Sequence, residues 1–119
     1  MKPAILVLLF CAAALWADDF NGRWWGDAVT SEGSFPVWIT LIQQGDHVTG
    51  TGGPTKTEQN VIENVKVAGN KVTFDVGPGN RAPLHFELSL QGGELKGTAT
   101  VLRNGQNVTG KVSLKKRTT

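Results

Sequence analysis

The stretch Leu84–Leu114, LHFELSLQGGELKGTATVLRNGQNVTGKVSL, decides how this chain folds. Leu84, Phe86, Leu88 and Leu90 fall at every second position, as do Val112 and Leu114 further on, with polar residues between them. A period of two marks a strand with one face buried and the other wet. Between the runs stand Gly92-Gly93 and Asn104-Gly105, pairs that tolerate the positive φ of two-residue hairpin turns. Each turn sets a register. Across Gly92-Gly93, Leu90 meets Leu95 and Phe86 meets Ala99; across Asn104-Gly105, Val101 meets Val108 and Leu95 meets Leu114. A one-residue slip would turn each apolar set toward water.

The same grammar extends toward the N-terminus. Gly45-Asp46 sets Leu41 opposite Gly50, and Gly69-Asn70 sets Val67 opposite Val72 and Val65 opposite Phe74. Eight strands follow: Gly22–Thr30, Phe35–Gln44, His47–Gly52, Val61–Ala68, Lys71–Val76, Leu84–Gln91, Glu94–Leu102 and Gln106–Lys115. In the fourth, Ile62 is out of phase with Val65 and Val67, which predicts a bulge near Glu63-Asn64. No helical period is found after residue 17. The fold class is all-β: an eight-stranded antiparallel up-and-down (meander) barrel, in which closure removes exposed edges. A two-sheet β-sandwich is the alternative.

Met1 to Ala17 reads as a secretory signal peptide, with Lys2 at its start, an apolar centre over Ile5 to Ala14, and Ala17 before Asp18-Asp19. Cleavage after Ala17, a secreted or periplasmic location and a single domain over residues 18–119 are the expectations. The apolar run is too short to span a bilayer as a helix of the mature chain. Cys11 leaves with the leader, so no intramolecular disulfide is expected. The formal charge of +2 falls to +1 once Lys2 is lost, which gives no case for nucleic acid or an anionic membrane.

Gly22-Arg23-Trp24 opens the first strand. A Gly-x-Trp at that place resembles the calycin superfamily of lipocalins and avidin-like proteins, whose barrels it closes at the base. The resemblance implies that Trp24 is the base plug. It also implies a basic residue near the end of the final strand packed over it, with Lys115, Lys116 and Arg117 in reach and Arg117 taken for the role. Val48-Thr49-Gly50-Thr51 is similar to an avidin strand that ends in Thr-Gly-Thr, but the chain contains no tyrosine and biotin binding is not carried over.

Two candidate sites result. At the barrel end opposite the three minimal glycine turns lie the connections Ser31–Ser34, Gly53–Asn60 and Gly77–Pro83. Inward residues at that mouth are Val37, Ile62, Val76, Leu84, Val101 and Val108, all uncharged, so a ligand there would be small and apolar. Inward Gly50, Gly97, Ala99 and Gly110 leave room along the wall; in the competing reading Trp24, Phe74 and Phe86 fill it. On the outer face, Trp25 and Trp38 are diagonal neighbours if Thr30 pairs with Phe35, and Ile42 extends their stripe. Such a patch suits sugar rings, a protein partner or a second copy of the chain, unless Phe20 or Lys66 covers it.

Catalytic chemistry has little to work with. His47 and His85 fall on outward positions of separate strands, and Glu32, Lys56, Glu58 and Arg81 are the only loop groups suited to acid–base work. No cofactor or metal is implied. Asn107-Val108-Thr109 matches the glycosylation sequon at an outward position. The expectation is a secreted non-catalytic binding protein. The alternative is a structural, adhesive or inhibitor-like module that accompanies an enzyme.

Overall fold

The computed structural model describes residues 19–77 and 82–117, so the leader and Arg81 lie outside the described residues. Nine strands and no helix occur among them: β1 (Gly22–Thr30), β2 (Gly33–Gln44), β3 (His47–Gly53), β4 (Asn60–Val61), β5 (Glu63–Ala68), β6 (Lys71–Val76), β7 (Leu84–Gln91), β8 (Glu94–Arg103) and β9 (Gln106–Arg117). They form one antiparallel meander with spatial order β4-β3-β2-β1-β9-β8-β7-β6-β5. The result is a nearly closed barrel.

The glycine turns set the register as their sequence implies. Leu41 faces Gly50, Val67 faces Val72, Leu90 faces Leu95, Phe86 faces Ala99, Val101 faces Val108 and Leu95 faces Leu114. The ninth strand arises because the expected fourth is broken at Ile62 into β4, which pairs with β3, and β5, which pairs with β6. The β5–β6 ladder skips from Glu63↔Asp75 to Lys66↔Thr73, and Asn64 has φ +54°. This irregularity sits at the expected bulge, and it removes the expected pairing of Val65 with Phe74. Ile62 then bridges the two sides of the barrel, its N–H donating to Gly50 O at 3.0 Å.

The β1–β2 connection differs from expectation. Thr30 faces Gly33, not Phe35, because Ser31-Glu32 makes a two-residue turn in which Glu32 N–H donates to Thr30 Oγ1 at 3.0 Å. The register moves by an even number of residues, so each side chain keeps its expected face. Ser31–Ser34 is therefore no long loop.

Barrel closure comes from β1 and β9, paired from Arg23↔Arg117 through Val29↔Lys111. The inward residues pack to a dry core in which Trp24, Phe20, Phe74, Leu88, Leu95 and Leu114 are each at most 2% exposed. Phe74 and Phe86 stack at 5.3 Å across β6 and β7. Trp24 closes one end, and its indole N–H donates to Phe20 O at 2.9 Å, so the buried donor is satisfied.

Lys116, not Arg117, lies over the Trp24 ring, with its Nζ 5.6 Å from the centroid. Trp24 and Lys116 are register partners on one face, whereas Arg117 belongs to the opposite face. Gly22 has φ +136°, and a Cβ there would sit 2.5 Å from Lys116 Cε. The glycine of Gly-x-Trp therefore leaves the lysine stem room to cross the base.

Gly50 and Gly97 do not open the wall as inward glycines were expected to. A Cβ would stand 1.9 Å from Thr40 O at Gly50 and 1.8 Å from Glu87 O at Gly97. Backbone of the neighbouring strand occupies the space. Gly97→Ala is accordingly expected to cost about 2–4 kcal/mol. Gly45→Ala, at φ +67° in an open turn, should cost only about 1–2 kcal/mol. Urea midpoints of the two variants check that ranking.

Candidate functional site

Two outward rows cross β9, β1, β2 and β3 side by side. One row runs Lys115, Trp25, Trp38, Gly53; the next runs Arg117, Arg23, Thr40, Thr51. Trp25 and Trp38 are direct cross-strand partners, not diagonal ones, and their rings stack at 4.6 Å with 19° between planes. The far face of Trp25 carries the Arg117 guanidinium, 3.7 Å from the centroid, and Lys56 Nζ stands 5.9 Å over Trp38. The outer face thus holds a cation–indole–indole–cation ladder. Aromatic stacking adds about 0.5–1.5 kcal/mol beyond area burial, and an exposed cation–π contact about 0.5–1 kcal/mol.

Neither Phe20 nor Lys66 supplies the cover. Phe20 is 1% exposed inside the barrel, with its N–H held by Gln43 Oε1 at 2.8 Å, and Lys66 lies on β5. Ile42 remains 52% exposed on the same outer sheet.

Beside the ladder is a groove of about 360 Å³. Its floor is Thr40 and Thr51, one wall is Trp38, the other is the segment Lys56-Thr57 with Gln59, and Arg23 and Arg117 close one end. Gln59 fixes that second wall. Thr51 Oγ1 donates to its Oε1 at 2.8 Å, while its Nε2 donates to Thr55 O at 2.7 Å and to Trp38 O at 3.2 Å. Glu58 N–H donates to Thr55 Oγ1 at 2.9 Å and tightens the loop further. The groove wall is therefore formed before any ligand arrives.

At the opposite end from the Trp24 plug, Val37, Ile62 and Val76 are core residues, 7%, 6% and 4% exposed. Leu84 is 37% exposed, and Val101 and Val108 are half-buried. None of the six lines the Trp38 groove. Ile62 alone borders a second cleft of about 290 Å³, which lies between β3 and β5 with His47, Asn64 and Val65 on its rim. The loop groups disperse: Glu32 pairs with Arg103, and Lys56 turns to Trp38. Among the described residues no three His, Cys, Asp or Glu side chains gather to hold a metal. No helix among them is long and apolar enough to cross a membrane.

Sequence reasoning missed the cationic half of the site. Lys56, Arg23 and Arg117 come from three separate segments, and only the closing β1–β9 register brings the two arginines opposite each other. A separate polar cluster lies on the outer face of β6 and β7. His85 Nδ1 donates to Asp75 Oδ1 at 2.6 Å, Asn64 Nδ2 donates to Asp75 Oδ2 at 2.9 Å, and Glu87 Oε2 is 3.5 Å from His85 Nε2. The chain matches no protein family, no curated protein and no solved structure with which it was compared.

The Asp75–His85 contact ties the Asn64 bulge to a titrating group. Its hydrogen bond to Asp75 raises the His85 pKa above 6.5, and the bond from His85, helped by Asn64, lowers that of Asp75 below 3.8. The His85 contribution is full below pH 6.5 and lost as pH climbs through its raised native value; the Asp75 contribution is present above 3.8 and lost as pH falls through its lowered one. Both side chains are solvated, 48% and 22% exposed, so the pair is worth less than about 1 kcal/mol. Melting temperatures of the wild type and His85→Gln should differ at about pH 5.5 and converge toward about pH 9.

Proposed function

We propose that this chain is a secreted, non-catalytic binding protein, and that it recognises carbohydrate on its outer face at Trp25, Trp38 and the groove beside them. The observation that carries this is the indole pair set upright against a preformed groove of hydroxyl and amide groups. Flat aromatic rings take the apolar face of a sugar, and nearby hydroxyls and amides answer its hydroxyl groups. Lys56 is an exposed, flexible cap on Trp38, so a ligand displaces it at the cost of little more than one lysine contact. The stiff wall built on Gln59 lowers the ordering cost of binding.

Support for a small apolar ligand at the mouth is weaker, because Val37, Ile62 and Val76 are already packed in the core. The non-catalytic reading draws on the engagement of two loop acid–base groups elsewhere, Glu32 with Arg103 and Lys56 over Trp38. Export is supported by the leader-like sequence over residues 1–17. N-terminal sequencing of protein recovered outside the cytoplasm should begin at Asp18; recovery of the chain only inside the cytoplasm, with Met1 intact, removes the export proposal.

The binding proposal is checked by affinity electrophoresis through a panel of soluble polysaccharides. Retardation by at least one of them should fall about tenfold or more in Trp38→Ala and stay unchanged in Leu84→Asp. Retardation lost in Leu84→Asp and kept in Trp38→Ala would move the site to the mouth.

A further inference from the structure

The charge in the groove has no internal counterpart. Arg23 and Arg117 face each other directly across β1 and β9, a like-charge pair that opposes the ladder it sits on. Neither arginine, nor Lys56, forms an ion pair with any described acidic residue. These three are the charged groups that line the groove, and no carboxylate lines it with them. Arg117 is exposed, with its guanidinium carbon 3.7 Å from the Trp25 centroid and no acidic partner among the described residues. A folded protein that holds two arginines together without an acid carries a cost that an anion would remove.

We infer that the groove takes an acidic oligosaccharide, a sugar chain bearing carboxylate or sulfate groups, with Trp38 under a sugar ring and Arg23, Arg117 and Lys56 on the acid groups. This rests on the carbohydrate reading above and adds the charge class of the ligand. The floor row from Arg117 to Thr51 crosses three strand spacings of about 4.8 Å, roughly 14 Å in all. That is a span for a short chain of sugars, not for one small anion. The row is also graded, with two cations at one end and two threonine hydroxyls at the other, so a bound chain has a direction. Lys56 supplies the remaining discrimination. A neutral sugar on Trp38 only displaces its ammonium from the ring, whereas an acidic one gives that ammonium a carboxylate or sulfate to move to. An acidic peptide could meet the cations and hydrogen-bond the hydroxyls of Thr40 and Thr51, but glutamate and aspartate side chains lay no ring face on the Trp38 indole. The volume of about 360 Å³ lies at the small end of the range for ligand sites, about 300–1,000 Å³.

Isothermal titration with four probes tests this: a galacturonic acid tetrasaccharide, a sulfated galactose tetrasaccharide, the neutral galactose tetrasaccharide and a glutamate tetrapeptide. At least one acidic sugar should bind about tenfold or more tighter than the neutral sugar. Arg23→Gln, Lys56→Gln and Arg117→Gln should each weaken the acidic sugar about three- to tenfold, and Trp38→Ala should weaken both sugar types. Melting curves confirm that these surface variants fold. Equal affinity for neutral and acidic sugars overturns the charge inference and leaves the carbohydrate site standing. Binding of the glutamate peptide as tight as that of the acidic sugar overturns the sugar class. Acidic-sugar binding that survives Trp38→Ala overturns the groove, since only general attraction to basic surface would remain. Failure of all three sugars to bind overturns the acidic-sugar inference, while the polysaccharide panel decides the carbohydrate reading on its own.

Discussion

The ladder between the first and last strands is the constraint on which the rest depends. It turns an open meander into a barrel, and it places Lys116 and Arg117, at the end of β9, against the two tryptophans of β1. Trp24 and Trp25 are adjacent in sequence and point to opposite faces, as do Lys116 and Arg117. The inner members meet over the base of the core, and the outer members meet on the surface. One alternation of period two thus builds an inner and an outer cation–indole contact from four residues. Shifting the β1–β9 register by one residue would destroy both at once.

Most of the architecture could be read from the turns, because glycine and Asn-Gly pairs demand a backbone that few other residues adopt. Where the demand was less plain, so was the reading. Ser31-Glu32 has no glycine within the turn, and Gly33 stands just after it, so a two-residue connection looked like a longer loop. Ile62 announced the broken strand by falling out of phase, but phase alone could not say that the two halves would pair with different neighbours. Trp24 is buried, and the basic residue over its ring is Lys116 and not the expected Arg117. Telling Lys116 from Arg117 needs the parity of β9 against β1, which no turn fixes, because these strands are the two ends of the chain.

The outer site was half visible for a related reason. Trp25 and Trp38 flank one turn, so their common face follows from alternation. Arg23, Lys56 and Arg117 are far apart in sequence, and a near-neutral total charge hides a local concentration that only folding creates. The interior offers little free space. An eight-stranded girth is just wide enough for side chains to fill, and Trp24, Phe20, Phe74 and Phe86 fill it here. With the inside occupied, the grooves lie on the surface, one of them shaped by the 54–59 loop over the outer sheet.

Joining β1 to β9 also sets a timetable. Contacts between such distant parts of a chain carry a heavy loop-closure entropy and make folding slow. Nothing can pair with the outer edge of β1 until β9 itself is available, so the barrel cannot close before its last strand has been made. Until then that edge stays open and the ribbon remains unrolled.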